Sequence, residues 1–116
     1  MVLADTSIWI DHFRRGHAGL AGQLSEGRVL VHPFIVGELA CGNLKNRDIT
    51  LSNLRALPGA KVASNDEVLR LVNDRRLWGS GLGWIDVHLL ASALLTGCDF
   101  WTLDLRLKKA ALEIAG

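Results

Sequence analysis

Four acidic residues in this chain stand where carboxylate chemistry can be built. Asp5 directly follows a short apolar run, Glu38 lies inside an apolar segment, Asp86 follows a glycine-rich stretch, and Asp104 closes Thr102-Leu103-Asp104 near the C-terminus. Each has a plain structural use. Asp5, Asp86 and Asp104 all fall near the start of an expected helix, where aspartate commonly caps. Glu38 is harder to explain that way. Its neighbours at helical spacing are Phe34, Ile35, Cys41 and Gly42, an apolar face on which an ionised carboxylate is costly unless it is paired or bound to a cation. Carboxylates that converge repel, and one must take up a proton unless a hard cation lies among them. Mg²⁺ suits such a set, because it prefers few carboxylates together with waters and phosphate oxygens. An ion so held activates water and neutralises charge building on a phosphodiester, and two ions about 3.5–4 Å apart hold both the attacking and the leaving oxygen.

Positioning those residues is the task of the surrounding elements. Val2-Leu3-Ala4, Arg28 to Val31, Lys61-Val62-Ala63 and Phe100 to Leu103 are short apolar runs that read as buried strands. Between them the pattern predicts helices over Ile8–Arg15, Ala18–Ser25, Pro33–Cys41, Ile49–Leu57, a segment opened by the capping box Ser64-Asn65-Asp66-Glu67, Trp84–Thr96, and Asp104–Ala115. The capping-box helix is expected to carry Arg75 and Arg76 in its last turn, where the macrodipole favours cations. Proline at position 33 costs nothing at a helix start. Strands alternating with helices indicate an α/β fold with a mainly parallel sheet covered on both sides. In such sheets the working cleft lies beyond the carboxyl ends of the strands, where strand order reverses. Asp5, Asp86 and Asp104 are expected near that edge, with helix N-termini there favouring a substrate phosphate.

At 116 residues, 49% of them apolar, the chain reads as a single domain over 1–116 with one core. Charged residues at 22% and an apolar half exclude wholesale disorder. No stretch approaches the roughly 18 apolar residues of a membrane span. Met-Val-Leu-Ala-Asp does not read as a secretory leader. Cys41 and Cys98, far apart and without a CxxC spacing, read as thiols in a reducing compartment, so the expected location is the cytoplasm. Thirteen Lys/Arg against twelve Asp/Glu give +1. With four acids gathered at one site the remaining surface is basic, which suits a polyanion; an ordinary mixed-charge surface accounts for the same composition.

Other motifs carry less. Gly79-Ser80-Gly81-Leu82-Gly83 lacks the Gly-Lys-Ser/Thr ending of a P-loop and does not spell GxGxxG, so it reads as a mobile loop that lets backbone approach a substrate. His88, two positions from Asp86, points elsewhere on a helix. His12, His17 and His32 show no zinc spacing with either cysteine, and no serine sits on a Gly-x-Ser-x-Gly elbow. Trp9 and Phe13, one helical turn apart, read first as core and alternatively as the wall of a groove for a partner helix. Arg14, Arg15, Arg75, Arg76, Arg106, Lys108 and Lys109 are candidates for holding phosphates, though any one of them equally suits a solvated surface. No run of residues reads as an aromatic stacking platform for RNA.

Val-Leu-Ala-Asp5-Thr6-Ser7 at the start, Glu38 after the second strand, Gly83-Trp84-Ile85-Asp86 opening a helix, and Thr102-Leu103-Asp104 together resemble the PIN-domain nucleases, in particular VapC-type toxins of prokaryotic toxin–antitoxin pairs. The likeness covers nearly the whole chain in order. It implies a three-layer α/β/α sandwich around a mainly parallel sheet of four or five strands, related proteins often adding a final short strand beyond the point where this sequence stops. It also implies a Mg²⁺- or Mn²⁺-dependent endoribonuclease, usually dimeric and silenced by a small antitoxin. By motif, Asp5 and Asp86 would be the principal metal ligands, Glu38 and Asp104 would complete the acidic catalytic cluster, and Thr102 and Thr6 would fix water or phosphate.

Two other classes compete: a receiver-like Mg²⁺-binding signalling module, and a scaffold that keeps the pocket and only binds partners. A receiver needs an acidic pair behind its first strand and a lysine after a late one. Here Asp5 is followed by Thr6 and Ser7, and Lys61 comes too early. A haloacid-dehalogenase-like phosphatase would need aspartate at position 7.

Overall fold

Val2–Ala4 form β1, and all three side chains are buried, Leu3 and Ala4 completely. In this computed structural model, which describes residues 1–115, β1 is flanked by a parallel strand on each edge. Val29–Leu30 (β2) sets Val29 opposite Val2, and Asp99–Trp101 (β3) sets Phe100 opposite Leu3. The order is β2-β1-β3. Parallel neighbours require crossovers. Thr6–Arg15 (α1) and Ala18–Ser25 (α2) join β1 to β2. Pro33–Ala40 (α3), Arg47–Arg55 (α4), Asn65–Asp74 (α5) and Trp84–Thr96 (α6) join β2 to β3, and Leu105–Ala115 (α7) follows.

The helices fall into two groups. α1 packs on α2 and α3, and α3 on α4, whereas α5 and α7 both pack on α6. The main core joins the strands to Ile8, Trp9, Leu20, Ile35, Leu39 and Leu54 of the first group and to Leu89 and Ala93 of α6. The α/β sandwich expected from the sequence is therefore present. Among the described residues its sheet has three strands instead of four or five.

The strand expected at 61–63 does not form, for a local reason. The Lys61 and Ala63 N–H groups donate to the Thr96 and Ser92 hydroxyls of α6, at 2.9 and 3.1 Å. Donors taken by a helix are lost to a ladder. Sheet pairing continues past β2 only as a parallel bridge between Val31 and Gly59.

Most helix boundaries follow their punctuation. Ser64 and Glu67 form the reciprocal capping box, Pro33 opens α3, and Gly97 ends α6 in the left-handed region at φ 74. α5 stops at Asp74, so Arg75 is its C-cap and Arg76 (φ 52) lies beyond it; neither occupies the last turn as expected. At α3 the cap is His32, whose Nδ1 accepts from the Phe34 N–H at 3.0 Å. An accepting Nδ1 leaves the proton on Nε2, which donates to Ser92 Oγ at 3.1 Å. The ring is completely buried. Burial, helped by nearby His88, lowers its pKa from 6.5 to about 4. Among the described residues no helix is long and apolar enough to cross a membrane.

Candidate active site

From β1 the chain passes first to β2 on one side and later to β3 on the other, so the switch point lies between β1 and β3. Ligands of open α/β sheets bind in the crevice beyond the carboxyl ends of the strands at such a point. Asp5 is the first residue past β1 and Thr102 the first past β3. The ladder reaches them through the Asp5 N–H, which donates to the Trp101 carbonyl at 2.9 Å.

Hydroxyl groups tie the two strand ends together. Thr102 Oγ1 donates to Asp5 Oδ2, and Ser7 Oγ to Asp5 Oδ1, both at 2.5 Å. Each hydroxyl also accepts a backbone N–H: Thr102 Oγ1 that of Asp104 in its own loop (3.0 Å), and Ser7 Oγ that of Leu103 across the strand ends (2.9 Å). Asp5 caps α1 as well, accepting the Ile8 N–H at 3.3 Å. The carboxylate is buried but for 7% of its surface, and these bonds occupy three of its about four acceptor sites. Its orientation is fixed and one lone-pair direction is left. Sequence reasoning gave no role to Ser7; the signal was its position two residues after an aspartate at a strand end.

The remaining acids arrive from other elements. Thr6 Oγ1 donates to Glu38 Oε1 at 2.8 Å, which ties α3 to the β1 end. Glu38 is exposed, contrary to the expectation of a carboxylate on a buried apolar face. Its apolar neighbours Phe34 and Cys41 line an open hollow with it, so no desolvation cost arises there. Asp104 is exposed and caps α7, using Oδ1 for both the Arg106 and Leu107 N–H groups. Asp86 is half-buried in the first turn of α6 and takes the Gly83 N–H on Oδ2 at 3.0 Å. Because α6 leads directly into β3, its N-terminus lies at the carboxyl edge of the sheet, and its Ile85 lines the same hollow as Glu38. Direct hydrogen bonds thus join Asp5, Thr102 and the Asp104 backbone in one set and Thr6 and Glu38 in another, the two sets meeting only through the Asp5–Thr6 peptide link. Asp86 shares the edge without bonding to the others.

All four carboxylates are hard oxygen donors. Among the described residues no three acidic, histidine or cysteine groups converge closely enough to ligate one ion together. Mg²⁺ does not need three, since it usually keeps several waters and takes one or two carboxylates. The open lone pair of Asp5 and the unengaged oxygens of Asp86, Asp104 and Glu38 fit that pattern of donors. Arg106, two residues past Asp104, lies over the glycine loop: a Cβ on Gly81 would fall 2.6 Å from its Nη1. Of the other candidate phosphate holders, Arg15 is paired with Asp11 within α1. Trp9 is core, only 3% exposed, whereas Phe13 is exposed; both line a groove of about 220 Å³ with Leu24, Leu54 and Leu57.

The acid-lined switch point belongs to a recognised class: the PIN domain family matches residues 2–113, and the chain belongs to that family. Within it, the chain is 48% identical over 114 residues to Ribonuclease VapC32 of Mycobacterium tuberculosis, in both strain CDC 1551 / Oshkosh and strain ATCC 25618 / H37Rv. The alignment covers 97% of this chain and 92% of each relative. The receiver-like alternative is not favoured.

Proposed function

We propose that this protein is a divalent-metal-dependent endoribonuclease, the toxin of a toxin–antitoxin pair, with Mg²⁺ as the ion and Mn²⁺ able to replace it. The observation that carries the reading is the hydroxyl-bridged carboxylate of Asp5 at the switch point, with Glu38 linked to it through Thr6. Family membership and the named ribonuclease relatives support it.

In this reading Asp5 and Asp86 hold the metal, and Glu38 and Asp104 complete the acidic set. When bound, the ion would supply water activation and charge neutralisation at the scissile phosphate. The chain's own groups do the rest. Thr102 and Ser7 hold the Asp5 carboxylate in one orientation, which preorganises it for charge rather than leaving it to reorient during reaction. Thr6 does the same for one Glu38 oxygen and leaves the other facing solvent water. The N-termini of α1 and α7 add partial positive charge beside the phosphate, and Arg106 adds a full one.

For the partner, Phe13 and the groove around it suit an antitoxin helix. Trp9, packed behind Phe13, closes the groove from the core side. Phe13→Glu is expected to abolish co-purification with the co-expressed antitoxin at an unchanged melting temperature; retained co-purification rejects that groove. The exposed leucines Leu94, Leu95 and Leu112 support a homodimer, readable by sedimentation. The exposed free thiol of Cys41 suits a reducing cytoplasm.

The deciding experiment is Asp5→Asn. The variant should fold and lose at least about 100-fold in cleavage of single-stranded RNA with Mg²⁺, the scale on which removing a preorganised charge acts. Undiminished cleavage by Asp5→Asn, or wild-type cleavage persisting in excess EDTA, rejects the reading.

A further inference from the structure

Next to Glu38 lies a hollow of about 510 Å³, lined by Pro33, Phe34, Gly37, Cys41 and Ile85 besides Glu38 itself. Apart from the carboxylate its lining is apolar. It is not a core defect, because Pro33 and Cys41 are exposed and Ile85 is 39% exposed. Trp84 and Ile85 are two large, exposed apolar residues in the first turn of α6, directly before Asp86.

The aromatic wall is rigid. Phe34 meets His32 edge-on at 5.0 Å and His88 edge-on at 4.9 Å, and His88 meets Trp84 edge-on at 4.7 Å. His32 is anchored in turn by Ser92 and by the Phe34 N–H. With its ring held in this row, Phe34 in the lining of the hollow loses little freedom when a planar group settles on it.

We propose that this hollow is a base subsite: it receives one unstacked nucleobase of the RNA strand, next to the phosphate being cut, and confers base preference at that position. This rests on the ribonuclease reading above and deepens it. Continuity with the acidic crevice identifies the occupant. Glu38 belongs to both, so a strand with a phosphate at the crevice has an adjacent nucleotide within reach of Phe34 and Ile85. Proteins that read single-stranded RNA splay bases out and stack them on aromatic rings. The Glu38 carboxylate accepts hydrogen bonds only, so it favours a base carrying an exocyclic amino group over uracil, whose single N3–H lies between two carbonyls that repel the carboxylate.

The test uses Ile85→Ser and Phe34→Leu, neither of which alters a carboxylate, on a random-sequence single-stranded RNA library whose cut sites are sequenced. The wild type should show a base preference at one position beside the cut. Both variants should flatten that preference and raise KM about tenfold or more, with kcat within a few-fold of wild type. Phe34 touches the buried histidine, so should Phe34→Leu fail to fold, Ile85→Ser decides alone. A wild type with no base preference at the cut overturns the proposal. So does a preference unchanged in Ile85→Ser, or a loss of kcat with KM unmoved. Failure of the parent reading looks different: Asp5→Asn would then cut the library as fast as wild type.

Discussion

Acidification should destabilise this protein, in large part through one buried ring. His32 is neutral in the folded state, accepting at Nδ1 and donating from Nε2, and its pKa falls from 6.5 to about 4 through burial first and nearby His88 second. In the unfolded chain it takes up a proton near pH 6.5; in the folded chain it does so only near pH 4. The unfolded state therefore binds more protons between those values. Stability is fully present above pH 6.5 and is lost progressively as pH falls towards 4. At 1.36 kcal/mol per unit the loss is about 3 kcal/mol, a large part of the roughly 5–15 kcal/mol that holds a domain together. The melting temperature should fall by roughly 10 °C. Protonation would cost the Phe34 cap bond and loosen the start of α3, the helix that carries Glu38. Urea unfolding followed by circular dichroism at several pH values from 7.5 to 4.5 measures this for wild type and His32→Asn. Asparagine keeps an acceptor for the cap and cannot titrate. The wild type should lose stability over the window, and the variant should lose about 3 kcal/mol less. Parallel pH profiles for the two proteins would refute the assignment of this effect to His32.

Two further outcomes follow from the site. Thr102→Val removes the hydroxyl that donates to Asp5 and accepts the Asp104 N–H; with hydrogen bonds to charge at about 1.5–3 kcal/mol, cleavage should fall roughly 10- to 100-fold, and Thr102→Ser should restore most of it in the same initial-rate assay. Gly81→Ala places a methyl group at φ +85 and against Arg106; thermal melts should show a loss of about 1–2 kcal/mol, and KM for RNA should rise as Arg106 is displaced.

Much of this was legible in the sequence because the signals were local. The capping box at Ser64, Pro33 after His32 and Gly97 after Thr96 mark helix ends by backbone chemistry that survives any tertiary context. Asp5 was legible for a similar reason, since a short apolar run marks the end of β1; the strand expected over Phe100 to Leu103 instead ends at Trp101, so Thr102 was pointed to by the family motif and not by the run. What escaped was set by contacts distant in sequence. Lys61-Val62-Ala63 has strand composition, yet Ser92 and Thr96, about 30 residues later, capture its N–H groups. The available clue was those two hydroxyls, four residues apart in the apolar C-terminal half of α6. Glu38 looked buried because its helical neighbours are apolar, but periodicity cannot separate a face turned to the core from one that lines an open hollow. His32 is an uncommon cap, and its role depends on Ser92, 60 residues away.

Capping and catalysis looked like rival explanations of the aspartates, and under the proposed function they are complementary. Asp5 and Asp104 cap helices with one oxygen, and Asp86 braces the first turn of another. That bond holds the carboxylate still and turns its remaining acceptor capacity outward. With a sheet of only three strands among the described residues, helix starts are a ready means of holding several like charges at one edge. The consequence is that charge and cap can be separated by substitution. Asp104→Asn keeps an acceptor for the Arg106 and Leu107 N–H groups, so stability should change by a few tenths of a kcal/mol, while Asp104→Ala loses the cap and should cost about 0.5–2 kcal/mol. Both remove the negative charge, so both should lower Mg²⁺-dependent cleavage by a similar factor. Unfolding curves and initial rates for the pair give four numbers. If activity followed stability, with the asparagine variant fully active and only the alanine variant impaired, Asp104 would be a cap and nothing more.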